Sequence, residues 1–166
     1  MLVLGLDPGL ATTGYGLIES RGQQLEAVDY GVFRTPPGVP NPERLEMVHD
    51  HLDDLLARFS PDVAAVEELF FSTNARTAML VGQARGVLLL TLAQAHLQIL
   101  EYTPMQIKQA VTGYGGADKN QIQQMVRLLL DLPELPRPDD AADALAVAIC
   151  HHHSAKLGAL LDRQSS

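Results

Sequence analysis

The sequence predicts an α/β fold: one mixed β-sheet flanked by helices. Three observations point there. Three strand-like segments come first with hairpin-type connections, a strand–helix–strand unit follows, and helical segments close the chain. The same alternation also suits a small doubly wound sheet, and pattern alone leaves the two topologies open.

Each element has a local reason. Met1–Asp7 is an apolar run ended by Pro8 and Gly9, which reads as a buried strand and a turn. Thr13–Glu19 and Leu25–Arg34 read as two further strands joined by a connection over Ser20–Gln24. Pro36–Pro42 (PPGVPNP) is a loop. From Pro42 to Phe59, residues Leu45, Val48, Leu52, Leu55, Leu56 and Phe59 recur at helical spacing, with Asn41 as the expected N-cap and Pro42 at the first helical position. Asp62–Glu67 (DVAAVE) is the nearly all-apolar strand expected in the middle of a covered sheet. Asn74–His96 predicts a long helix, Ile99–Tyr102 a strand, Pro104–Val111 and Lys119–Leu130 helices around the turn Gly113–Ala117, and Asp139–Leu161 the last helix.

At 166 residues the chain suits a single domain over 1–166, with residues 156–166 expected as a frayed tail. A 46% apolar composition and a mean hydropathy of +0.03 exclude wholesale disorder. The only cysteine, Cys150, allows no intrachain disulfide and points to a reducing compartment, the cytoplasm. The opening MLVLGLDPGL lacks a basic segment and reads as a strand, not a secretory signal. The longest apolar stretches, around Gly86–Ala93, fall far short of the ~20 residues of a membrane span.

The net charge of −8 argues, as an average, against a nucleic-acid partner. The average hides a gradient. From Leu69 to Leu130 five basic residues (Arg76, Arg85, Lys108, Lys119, Arg127) meet two acids (Glu101, Asp118), a net of +3, while the remainder carries −11. A polyanion facing the central stretch is still allowed.

The informative residues are acids at the ends of apolar elements. Asp7 closes the first strand and Glu67 closes DVAAVE; if the two strands are central and parallel, both carboxylates emerge at one carboxyl edge, where open α/β sheets place their sites. Asp140 and Asp143, three apart in the opening turn of the last helix, share a face. Each has an ordinary alternative, an N-cap for Asp139 or Asp140 and a turn acid for Asp7. The alternative is weakest for Glu67, because an unpaired acid in place of a buried apolar residue is costly. Four converging carboxylates repel one another, and an all-oxygen set suits Mg²⁺ or Mn²⁺ rather than zinc. Two such ions are the arrangement that activates water in phosphodiester hydrolysis.

Taken in order, GLDPGLATTGYG (5–16), AVEELFFSTN (65–74), VGQARG (81–86), YTPMQIKQAVTGYGGADKNQIQQMV (102–126) and DDAADALAVAICH (139–151) resemble the RuvC family of Holliday-junction resolvases. The resemblance runs from Met1 to about His153. It implies an RNase H-like (retroviral integrase-type) fold with a mixed five-stranded sheet, a homodimer, Mg²⁺ (two per active site, with Mn²⁺ able to substitute), and symmetric nicking of four-way DNA junctions in recombination and repair. It also implies cooperation with a branch-migration helicase. Carried over by position, the metal-binding and catalytic acids fall on Asp7, Glu67, Asp140 and Asp143, the family's lysines on Lys108 and Lys119, and its DNA-contacting phenylalanine on Phe70. The neighbours Glu68 and Asp139 leave a register question, and Phe71 competes with Phe70 for the exposed position.

The supporting residues have readings of their own. Asp118 and Gln121 form a capping box, and a first-turn lysine after it, Lys119, opposes the helix dipole unless a phosphate partners it. Arg76, Arg85, Lys108 and Lys119 are the DNA-binding candidates, with Arg127 beside them; solvated surface charge is the alternative for each. The helix over 74–96 carries more apolar surface than one core uses (Met79, Leu80, Val81, Val87, Leu88, Leu89, Leu90, Leu92), which suggests an isologous dimer contact. His151–His153 spread too widely around a helix to share one ion and read as a solvated helix end. A ribonuclease of the same fold class, a non-catalytic junction-binding protein and a sugar-kinase-like ATPase are the competing functions; the last needs two such domains.

Overall fold

The computed structural model describes residues 1–21, 24–68 and 74–164, the last six of these in backbone only. Five strands form one sheet: β1 (Leu2–Asp7), β2 (Thr12–Arg21), β3 (Gln24–Arg34), β4 (Val63–Glu67) and β5 (Gln98–Tyr102), in the order β3-β2-β1-β4-β5. β1, β2 and β3 pair antiparallel, while β1, β4 and β5 run parallel. The sheet is therefore mixed, with β1 at the change of direction. The helices are α1 (Asn41–Phe59), α2 (Ala75–Gln94), α3 (Pro104–Thr112), α4 (Lys119–Leu129) and α5 (Asp139–Gln164).

The sheet divides two cores. One face carries Leu4, Leu6, Leu17, Ala64 and Val66 against Val48, Leu52 and Leu55 of α1 and Leu88 and Leu92 of α2. The other carries Val3, Ile18, Val63 and Ala65 against α3, α4 and the Ala-rich first half of α5. Alternation along a strand then decides the rest. Residues 3, 5 and 7 of β1 share the α5 face, as do 63, 65 and 67 of β4.

On that face α5 rides on glycines. A Cβ at Gly5 would stand 2.7 Å from the Ala148 nitrogen, and one at Gly14 only 2.6 Å from the Asp140 carbonyl carbon. Neither position has space for a side chain, so the helix axis lies closer to the sheet than larger residues permit.

Several expectations are corrected. Asn41 is not the N-cap of α1: Pro40 holds that position without a side-chain bond, and the Asn41 amide donates instead to Gln83 Oε1 at 2.8 Å, tying α1 to α2. α2 is capped by Asn74, whose side chain accepts from the Arg76 and Thr77 nitrogens. Met79 and Leu90, counted among its apolar residues, are 66% and 58% exposed. His151 is no solvated helix end; it is buried with Nδ1 2.9 Å from the Tyr102 hydroxyl, and His153 Nδ1 lies 3.0 Å from the Ala110 carbonyl oxygen. The cause is that α5 still lies over β5 and α3 at these positions, while the helix runs on through Gln164, into the expected frayed tail. Cys150 is buried as an apolar residue, and burial pushes its thiol up to about 11.

Candidate active site

The last paired residues of β1 and β4 are Leu6 and Val66, so one step further along the parallel register brings Asp7 beside Glu67. Both point to the α5 face. Gly14, paired with Asp7 in the β1–β2 ladder, is the glycine under Asp140. The close approach of α5 is thus what lowers Asp140 and Asp143 on to the two strand ends. Asp139 and Asp140 lie in the helix's first turn, within the helix itself. Glu68, by alternation, leaves this face; its N–H donates to the Tyr102 carbonyl at 2.9 Å.

The electrostatics record the crowding. Asp7 is pushed up to about 8, first by burial and then by the charges of Glu67, Asp143 and Asp140. It also donates a hydrogen bond to Glu67. Glu67 is raised by burial and by Asp143, against the pull of the Asp7 hydrogen bond, Lys108 and Lys119. Asp143 is raised by burial despite Lys119, whose Nζ lies 3.3 Å from Asp143 Oδ2 and 3.5 Å from Asp139 Oδ2. For Lys119 burial works downward, but Asp143 and Asp139 outweigh it and the net shift is up. A cleft of about 330 Å³ opens over these groups, lined by Glu67, Lys108, Asp118, Lys119 and Asp143 among others.

The donor set is all carboxylate oxygen, which fits a hard divalent cation. The excess negative charge is met here in part by Lys119 on Asp143, and burial beside the other acids favours the protonated form of Asp7. In this state no three acidic, His or Cys side chains among the described residues stand together closely enough to hold one ion.

The remaining candidates separate. Lys108 lines the cleft and acts on Glu67 by its charge. Arg76 is exposed in the first turn of α2. Arg85 turns inward: its guanidinium is paired with Glu101, and Nε donates to the Glu67 carbonyl oxygen at 3.4 Å. It braces the end of β4 rather than facing solvent. Arg127 Nε donates to the Leu132 carbonyl. Phe70 and Phe71 lie outside the described residues. Asp139, which the sequence left as a candidate N-cap or a rival of Asp140, shares a hydrogen bond of 3.0 Å with Gln123, a residue sequence reasoning passed over; only the helical spacing of Lys119 and Gln123 hinted at a common partner.

A mixed five-stranded sheet of this order, with helices on both faces, is the RNase H-like fold of the junction resolvases. The yeast mitochondrial Holliday junction resolvase shares the fold at a TM-score of 0.65 and 16% identity, over 91% of this chain and 78% of that one. The model of the family described as crossover junction endodeoxyribonuclease RuvC matches residues 3–151. The crossover junction endodeoxyribonuclease RuvC of Desulfitobacterium hafniense is 59% identical over 157 residues, 95% of each chain. Thermus thermophilus RuvC in complex with Holliday junction substrate superposes at a TM-score of 0.90 with 39% identity, over 95% of this chain and 96% of that one. The chain belongs to the RuvC family.

Proposed function

We propose that this chain resolves four-way (Holliday) DNA junctions, nicking two strands symmetrically as a homodimer in the cytoplasm, during recombination and repair. The observation that carries the reading is the convergence of Asp7, Glu67, Asp140 and Asp143 from three elements on to one sheet edge, with Asp7 pushed up to about 8 by burial first and by its acidic neighbours second. Acids facing DNA weaken binding unless something positive joins them, so a purely binding protein has no use for this cluster.

Asp7, Glu67, Asp140 and Asp143 would hold the cation, which we take to be Mg²⁺, two per site, with Mn²⁺ able to replace it. When bound, it supplies Lewis acidity to the phosphate oxygens and makes water a nucleophile at neutral pH. The chain's own residues do the rest. Asp7 would hold the cation in its carboxylate form, which positive charge at the site favours over the protonated one. Lys119 and Lys108, which both line the cleft, place point charges where the scissile phosphate gains negative charge. Arg76 reaches the DNA backbone from the start of α2, Phe70 supplies an aromatic contact to the junction, and Arg85 keeps the end of β4, hence Glu67, in place.

Dimer formation would use α2. Met79, Gln83, Gly86 and Leu90 recur at spacings of four, three and four, so they form one exposed stripe around two large apolar side chains. A branch-migration helicase is the further partner that family membership suggests.

The test is cleavage of an end-labelled four-way junction beside a linear duplex of the same sequence, in Mg²⁺, in Mn²⁺ and in EDTA, with Asp7→Asn as control. Paired nicks at the junction alone, lost in EDTA and in Asp7→Asn, are expected. Binding without nicking in either metal overturns the mechanism, and cleavage of an RNA control alone moves the activity to ribonuclease.

A further inference from the structure

Asp139 is an acid for which the carboxylate cluster has no evident use. It is the first residue of α5 and about half exposed, yet both of its oxygens are engaged within the protein. Oδ1 accepts from Gln123 Nε2 at 3.0 Å, and Oδ2 lies 3.5 Å from Lys119 Nζ. Lys119 and Gln123 are one helical turn apart on α4, so a single face of that helix presents both groups to the same carboxylate. The Lys119 ammonium therefore has two acidic neighbours of unlike standing. Asp143, at 3.3 Å, belongs to the cluster over Asp7 and Glu67. Asp139 does not enter the charge crowding of Asp7 and is tied to α4 instead.

We propose that Asp139 is a positioning residue for Lys119, itself held by Gln123. The inference rests on the nuclease reading of the site, in which Lys119 serves the scissile phosphate. A lysine carries its charge on a flexible four-carbon stem that loses rotamer freedom when it meets a phosphate. A stem already anchored at its tip has lost most of that freedom beforehand. Asp143 cannot be the lasting anchor, because its carboxylate is wanted by the cluster. Asp139, joined to α4 through Gln123, keeps the ammonium at the cleft wall whichever way Asp143 is engaged. Its negative charge also offsets the unfavourable position of a cation in the first turn of α4.

The competing account, a solvated acid near DNA, predicts the opposite sign. Neutralising such an acid removes repulsion, tightens junction binding and leaves the chemical step alone. The two are separated by single-turnover cleavage at saturating protein, with junction Kd measured by anisotropy in EDTA. Asp139→Asn is expected to lower the cleavage rate constant about threefold to tenfold, the range for losing one partly exposed charged contact, with Kd changed less than twofold. Gln123→Ala is expected to act in the same direction with a smaller effect, and Asp139→Glu to recover most of the loss.

An unchanged rate in Asp139→Asn, tighter binding at an unchanged rate, or an Asp139→Glu chain as slow as Asp139→Asn overturns the proposal. A double-mutant cycle of Asp139→Asn with Lys119→Ala, read in urea unfolding, must show coupling; additive effects overturn the pairing. Should the wild-type chain leave the junction whole in both metals, the nuclease reading falls and the role of Asp139 with it, while coupling in urea shows that the pairing itself was sound.

Discussion

Gly14→Ala tests whether the approach of α5 to the sheet builds the site. The added methyl would stand 2.6 Å from the Asp140 carbonyl carbon, against the 3.4 Å at which ordinary contact begins. The neighbour is helix backbone, which cannot swing aside as a side chain does. The first turn of α5 must therefore retreat by at least 0.8 Å, the difference between the two distances, and it takes Asp140 and Asp143 with it. Overpacking of this kind costs about 1–3 kcal/mol of stability. A displacement near 1 Å between groups that act together costs on the order of 100-fold in rate.

Urea unfolding and single-turnover cleavage of a four-way junction measure the two effects on one preparation. Gly158→Ala is the control: nothing lies within 4 Å of its would-be Cβ, and alanine there should stabilise α5 by about 0.5–1 kcal/mol with cleavage unchanged. Should Gly14→Ala unfold and cleave as the wild type does, the close approach does not set the position of the acids.

Two further outcomes follow from the charge layout and the exposed stripe. Because Asp7 stands near 8 in the folded chain and near the ordinary carboxylate value of 3.8 in an unfolded one, its folded state favours the proton. The metal-free protein, measured in EDTA, should thus lose stability as pH rises between about 4 and 8, by at most about 1.4 kcal/mol per unit for this group. Asp7→Asn should flatten the loss while abolishing cleavage; a wild-type stability that rises with pH across this window refutes the account. Leu90→Glu or Met79→Glu puts a charge into the exposed stripe of α2 and should leave a folded monomer in sedimentation at micromolar concentration, whereas an unchanged dimer rules that stripe out as the contact.

The acids were legible in the sequence because each breaks a rule at its own position. Asp7 and Glu67 end runs that otherwise read as buried strand, and no tertiary knowledge is needed to find an acid there out of place. Asp140 and Asp143 were legible through spacing. What sequence could not carry is who meets whom. Arg85 counts toward the positive stretch in any tally, yet its guanidinium is spent on Glu101 and on the end of β4. Asn41 has the right residue type for a cap, but the helix starts one residue earlier, with Pro40 in the cap position, and the Asn41 amide nitrogen donates to Gln83 instead. His151 looked like surface because helix ends usually are; its burial depends on Tyr102 at the end of β5, 49 residues away in sequence, meeting it under α5. The glycines beneath α5, Gly5, Gly14 and Gly16, gave no periodic signal at all, since a residue without a side chain leaves no trace in hydrophobic patterning.

The cations of the central stretch have one more consequence. Arg85 is paired internally, Arg127 donates to a backbone carbonyl, and Lys119 is shared between two acids, which leaves Lys108 and Arg76 as the members of that set whose side chains have neither a hydrogen bond nor an ion pair among the described residues. A molecule of net charge −8 with so few committed phosphate contacts releases few condensed counterions when it meets DNA. Its affinity should then fall only gently as electrolyte is added. Discrimination between a branched and a linear duplex has to come from how the arms are disposed around the protein, with long-range attraction to the polyanion contributing little.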